Sequence, residues 1–130
     1  MSDHPHVTRL LEAYEAFGKG DLDRLTELWS PDIQWHEPGR NQVSGDYAGP
    51  PAVFEVFGRI MEHSQGSFRI EPLRVFADDT DGVAVVRMSG HTGDRDLDVL
   101  ATHVVRFEGD CMAEFWAANT DQAAVDAFFA

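Results

Sequence analysis

The sequence predicts one α+β domain, a long curved antiparallel sheet covered on its concave face by N-terminal helices. Three observations carry this prediction. Apolar residues recur at helical spacing as far as Met61, and from Ser67 onward they alternate with a period of two. The strand-like runs after Ser67 are joined by connections too short for a crossover, so consecutive strands must run antiparallel. A chain of 130 residues, 43% of them apolar, can bury one core but not two.

Each element has its own signal. Residues 1–6 are polar and are expected to form a flexible N-terminus, which leaves 7–130 as the domain. Val7, Leu10, Leu11, Tyr14 and Phe17 mark one face of a first helix, and Gly18-Lys19-Gly20 ends it. Asp21 is placed to cap a second helix, with Leu22, Leu25, Leu28 and Trp29 inside and Pro31 as its stop. A short extended piece, 33–37, leads into a turn-rich loop over 38–49. Pro50 and Pro51 suit the first turn of a third helix carrying Val53, Phe54, Phe57, Ile60 and Met61. Strands are expected at 67–76, 83–92, 97–108 and 111–118. Gly109-Asp110 has the form of a two-residue hairpin turn. At Pro72 the apolar phase switches from Phe68 and Ile70 to Leu73 and Val75, which predicts a bulge or bend. A last short helix begins near Asp121 and carries Val125, Phe128 and Phe129. A strand of twelve residues reaches roughly 40 Å, so strands this long are expected to curl and leave a pocket under the helices.

Composition removes several classes of function. Twenty-three acidic against ten basic residues give a formal charge of −13, which disfavours both nucleic acid and anionic membrane as partners. No apolar run approaches the roughly 18 to 20 residues that span a bilayer, and the first residues lack a signal-peptide pattern. The expectation is a soluble cytoplasmic protein. The single cysteine, Cys111, excludes an internal disulfide framework and a cysteine zinc site. Asp79-Thr80-Asp81-Gly82 has the look of a calcium loop, but Ala77 and Met88 stand where its first and twelfth ligands belong. No metal site and no cofactor-binding motif is expected.

The chain resembles the SnoaL-like branch of the nuclear transport factor 2 and ketosteroid isomerase superfamily. The stretches that carry the resemblance are Gly20-Asp21-Leu22-Asp23, Asp32-Ile33-Gln34-Trp35-His36-Glu37-Pro38-Gly39 and Ser44-Gly45-Asp46-Tyr47-Ala48-Gly49. They continue with His103-Val104-Val105-Arg106-Phe107 and Ala113-Glu114-Phe115-Trp116, followed by Asp121. The resemblance implies a cone-shaped sheet, a deep apolar cavity and a homodimer. It implies less about the reaction, because this fold hosts isomerases, cyclases, hydrolases, dehydratases and non-catalytic binders.

His103 is the foremost candidate on internal evidence: it is the one titratable group on a face that reads Leu97, Val99, Ala101, His103, Val105, Phe107. An imidazole on an apolar wall can exchange protons near neutral pH. Glu37, immediately before Pro38, matches the position of the general base in steroid isomerases of the superfamily, where an apolar pocket raises a carboxylate's pKa. Strand alternation lets only one of His36 and Glu37 face inward. The isomerases' oxyanion tyrosine aligns with Ala13, so that Tyr14 is expected to point elsewhere, and their protonated aspartate aligns with His103. SnoaL-type cyclases use an acidic residue on the sheet wall, for which Glu114 is the nearest match; it is expected to share a face with Met112 and Trp116. Trp116, Trp35, Tyr47 and Phe57 are candidate cavity walls, and Arg87 is a candidate for an anionic group or an oxyanion.

The expected function is cofactor-independent acid–base chemistry, of isomerase, cyclase or dehydratase type, on a small hydrophobic carbonyl-bearing or cyclic molecule. The alternative is a non-catalytic binding or association module on the same fold. A homodimer through the outer sheet face is expected, because Leu100, Thr102 and Val104 lie behind the face of His103.

Overall fold

The computed structural model describes residues 4–130. Its elements run α1 (Pro5–Lys19), α2 (Leu22–Leu28), β1 (Trp29–Glu37), β2 (Gly45–Ala48), α3 (Pro50–His63), β3 (Arg69–Ala77), β4 (Asp81–Thr92), β5 (Arg95–Glu108), β6 (Cys111–Asn119) and α4 (Gln122–Phe128). The strands form one curved, unclosed sheet in the order β2-β1-β6-β5-β4-β3. From β3 to β6 every neighbouring pair is antiparallel, as the short connections require.

Local chemistry sets most boundaries. The Asp21 carboxylate accepts from the Arg24 amide, capping α2. Gly20 ends α1 at φ 68, a left-handed conformation that glycine adopts without strain. Gly109 opens the β5–β6 turn at φ 59, the backbone that its hairpin requires. Pro72 marks a register shift between Pro72 and Arg74 in the β3–β4 ladder, the predicted bulge.

Four expectations need correction. Helix α1 begins at Pro5, before the apolar stripe opens. The His4 ring accepts from the His6 amide, and His6 is buried, stacked at 3.9 Å on Phe107 with Nδ1 2.9 Å from the Asp78 carbonyl. Positions 4–6 are therefore tied down; 1–3 lie outside the described residues. Trp29 starts β1 rather than ending α2, since Pro31 pushes the residue before it into extended backbone and cannot continue a helix. The loop over 38–49 contains strand β2, too short and too rich in turn residues to show a period; it pairs Trp35 with Tyr47 and His36 with Asp46. Finally, β1 joins β6 in parallel, with Trp35 opposite Phe115, so the sheet is not antiparallel throughout.

The helices lie on the concave face. The inward residues of the long strands, Ala84, Val86 and Met88 on β4 and Leu97 through Phe107 on β5, meet Leu10, Leu25, Leu28, Val53, Val56, Phe57 and Ile60. Fully buried aliphatic side chains such as Ile33, Val53 and Val86 each contribute about 1.5–3 kcal/mol. Helix α1 rides close on β4: a Cβ at Gly82 would meet Leu10 Cδ1 at 2.7 Å.

Candidate functional site

Between the helices and the concave face lies a cavity of about 80 Å³, counted as space open to the centre of a water molecule. One ordered water needs roughly 10–15 Å³ on that measure, so the space suits a small molecule. Its walls are mostly apolar, with Phe17, Trp29, Trp35, Phe57 and Phe115 supplying aromatic surface. Five polar side chains break that surface: Tyr14, Glu37, Asn41, His103 and Asn119.

His103 reaches the cavity because β5 alternates without interruption to this point. Its neighbours across the sheet, Ala84 and Ala117, are small and leave room for the ring. Its Nδ1 lies 2.7 Å from the Tyr14 hydroxyl, and Phe115 meets the ring edge-on at 4.7 Å. Burial pushes the imidazole down to about 4 and raises the Tyr14 phenol above its usual range. At neutral pH the pair therefore holds two protons and no charge. One N–H or O–H is used between the partners, and the other remains to donate to a ligand whichever tautomer is present.

The inward side of β1 carries Ile33, Trp35 and Glu37. The Trp35 indole, stacked at 3.7 Å on Phe115, donates to Glu37 Oε1 at 2.8 Å. Burial raises the Glu37 carboxyl to about 7, against the opposing pull of that hydrogen bond. Because His36 pairs with Trp116 in the parallel ladder, the next inward position puts Glu37 beside Ala117, which pairs in turn with His103. Glu37 and His103 thus stand two strand spacings apart, roughly 10 Å between backbones, with an alanine as the floor between them. The cavity wall thus carries both a carboxyl raised toward neutrality and a neutral hydrogen-bond donor. That arrangement can take a proton from carbon and steady the charge that develops on oxygen.

The other sequence candidates separate by face. Phe57 and Trp35 line the cavity as expected. His36 does not: alternation turns it to the outer face, where Nδ1 meets Asp46 at 2.6 Å and Nε2 meets Glu114 at 2.7 Å. The hydrogen bond to Asp46, followed by that to Glu114, raises its pKa. Glu114 is on the outer side with it. A register shift opposite Arg106 and Phe107 breaks the β6 alternation, so that Met112 turns inward while Glu114 and Trp116 turn out. Trp116, 39% exposed, covers the His36 ring at 5.6 Å. Arg87 is also external and is held by Asp98 through two hydrogen bonds of 2.8 and 2.6 Å. Tyr47 sits on edge strand β2, its hydroxyl donating to the Val43 and Ser44 carbonyls rather than into the cavity.

Three cavity residues were not foreseen. The resemblance to the isomerases points Tyr14 elsewhere, yet both it and Ala13 line the cavity. Its spacing with Leu10 and Phe17 already placed it on the buried stripe. Asn119 continues the inward series Phe115, Ala117, Asn119, whereas Asn41 comes from the 38–49 loop and has no periodic signal. Among the described residues no cluster of side chains suits a metal ion, and no helix is long and apolar enough to cross a membrane.

Comparison with known proteins agrees with this architecture. Bal32a, from a soil-derived mobile gene cassette, is similar at 31% identity with a TM-score of 0.92, covering 96% of each chain. An NTF2-like protein of unknown function from Burkholderia pseudomallei is 22% identical, with a TM-score of 0.85 over 99% of this chain and 98% of that one; at that identity it shows the fold. An uncharacterized protein of Mycobacterium tuberculosis is 26% identical over the whole of both chains. Residues 10–115 match the SnoaL-like domain. With that match spanning most of the sequence, the chain belongs to the SnoaL-like domain family, on an NTF2-like fold.

Proposed function

We propose that this protein is a cofactor-independent enzyme that binds a small hydrophobic carbonyl compound in the cavity and moves a proton on it. The observation that carries this reading is that Glu37 and the hydrogen-bonded Tyr14–His103 pair line one apolar cavity. The Glu37 carboxylate takes a proton from the carbon beside the carbonyl. The C–H electrons form a C=C bond, and the carbonyl oxygen, now an enolate, accepts the free donor of the pair. Return of the proton from Glu37 to a conjugated carbon gives isomerisation; where the Glu37 carboxyl first trades its proton with solvent, reprotonation of the same carbon gives hydrogen exchange. Attack of the enolate carbon on a second carbonyl of the same molecule forms a C–C bond as the C=O π electrons move to oxygen, and that oxygen takes the proton back from Glu37, which gives cyclisation. The apolar walls favour both routes by keeping water from the enolate.

The test uses 1-tetralone, a bicyclic ketone with exchangeable hydrogens at C2. In D₂O near neutral pH the protein should accelerate deuterium uptake there, and Glu37→Gln should remove about 10²-fold or more of that rate. No acceleration by the wild type, or equal rates in a folded Glu37→Gln variant, would contradict the proposal and favour a binding role without catalysis.

The assembly we propose is a cytoplasmic homodimer joined through the outer sheet face. In support, Phe76, Val83, Val104 and Trp116 form one continuous row across β3, β4, β5 and β6, with Phe76 58% exposed. An apolar row on an otherwise acidic protein is a poor surface to leave in water. Light scattering should give twice 14.5 kDa, and Val104→Asp should halve it; a wild-type mass of one chain would contradict the dimer.

A further inference from the structure

Asn119 has a hydrogen-bonding fault that a ligand would repair. Its Oδ1 is buried and has no donor among the described residues, while its Nδ2 donates to Gln122 Oε1 at 2.9 Å. That orientation is dictated from outside the cavity. Asp126 accepts from the Arg40 amide, the Asn41 side chain and the Gln122 side chain, and these bonds hold its carboxyl below the usual range. An ionised carboxylate only accepts, so Gln122 must turn Nε2 toward Asp126 and Oε1 toward Asn119. Asn119 must then answer with its NH₂ group, which leaves Oδ1 as a fixed acceptor. Asn41, the other amide in the wall, has no such vacancy, because its Oδ1 accepts from the Val43 amide at 2.9 Å.

The position of this acceptor defines a spacing. Asn119 pairs with Ala101, two residues beyond the His103–Ala117 pair. Two residues of strand are about 7 Å, close to the width of a six-membered ring with its substituents.

We propose that the natural ligand is a cyclic or aromatic carbonyl compound carrying a hydrogen-bond donor, a hydroxyl or N–H, roughly one ring-width from its carbonyl, and that Asn119 Oδ1 accepts that donor. The inference rests on the cavity being the ligand site and refines its ligand class. A group that cannot donate, such as an ether, is rejected because it leaves Oδ1 desolvated and unpaired. Gln122 and Asp126 are positioning residues that keep the acceptor from flipping into a donor.

Matched probes test this by calorimetry: 6-hydroxy-1-tetralone, with a phenolic donor across the ring from its carbonyl, and 6-methoxy-1-tetralone, which lacks the donor. The wild type should bind the hydroxyl compound about 10-fold or more tightly than the methoxy compound. In Asn119→Leu the two should fall within about 3-fold of each other. Gln122→Leu, which leaves Asn119 in place but frees its amide to turn, should also shrink the preference, a change that mere loss of packing would not produce. Equal binding of the probes to the wild type, binding of neither, or a preference surviving in a folded Asn119→Leu variant would overturn the proposal. Deuterium uptake at C2 of the methoxy compound separates this from the proton-transfer reading. Exchange without donor preference sinks only the Asn119 assignment, and preference without exchange sinks only the role of Glu37.

Discussion

Two histidines on opposite faces of one sheet show how far environment, rather than residue type, decides chemistry. His103 faces the cavity with a phenol as its only side-chain hydrogen-bond partner among the described residues, and burial holds it neutral. His36 faces outward between the carboxylates of Asp46 and Glu114, and these favour its charged form. The first is fitted to donate or accept one hydrogen bond in a dry site. The second ties β2, β1 and β6 together by charge and is open to solvent. In the proposed reaction the inner histidine offers a hydrogen bond to the ligand, while the outer one links three strands by charge.

The largest expected effects break this comparison at the inner site. His103→Gln should lower turnover of a cavity substrate by about 10²-fold, whereas His36→Gln should leave it within about 2-fold. Similar losses in both variants, measured by deuterium uptake with folding checked by circular dichroism, would erase the distinction. Tyr14→Phe should cost about 1–3 kcal/mol of stability through the stranded His103 nitrogen, read from urea denaturation. Its turnover should fall by less than in His103→Gln.

The pH dependence of stability sharpens the contrast further. His103, with its folded pKa lowered to about 4, supports the fold fully above the unfolded value of 6.5 and progressively less as pH falls toward 4. Glu37, raised from 4.5 to about 7, does the reverse: its contribution is complete below 4.5 and is lost as pH rises toward 7. Between pH 4.5 and 6.5 the two slopes oppose each other. Wild-type stability should therefore be nearly flat there. Glu37→Gln should uncover a rise with pH on the order of 2–3 kcal/mol across that window, and His103→Gln should uncover a fall. Parallel curves for all three proteins would show that neither group is perturbed. His36, with its pKa raised, adds stability that is present below 6.5 and lost as pH rises through its folded value. Removing it should flatten the curve above pH 6.5 by about 0.5 kcal/mol. Smallest of all, Arg87→Ala should leave both stability and turnover nearly unchanged, since its pair with Asp98 is exposed.

The legibility of this molecule in its sequence follows the regularity of its backbone. Strands β3 to β6 could be read because period-two alternation runs through them, and His103 could be assigned inward because nothing interrupts β5 before it. Glu114 departs from the expected face, that of Met112, where this regularity fails, at the β6 register shift, which no glycine or proline announces. Strand β2 and the parallel β1–β6 pair were hidden because four residues show no period and a parallel neighbour is chosen by tertiary packing. Tyr14 teaches the opposite lesson. The helical stripe of Leu10, Tyr14 and Phe17 places it inside, whereas comparison with the isomerases selects Ala13, and the cavity is lined by both. Asn119 lay on the correct face by alternation, but its unmatched oxygen depends on Gln122 and Asp126, and that chain of hydrogen bonds exists only in three dimensions.

The proposed base is a carboxyl whose pKa burial raises, in a cavity shared with a neutral histidine. Titration of the Glu37 side-chain carbon by ¹³C NMR measures this directly. The expected midpoint is about 7 in the ligand-free protein. A midpoint near the ordinary 4.5 would mean a solvated carboxylate and would contradict its role as the base.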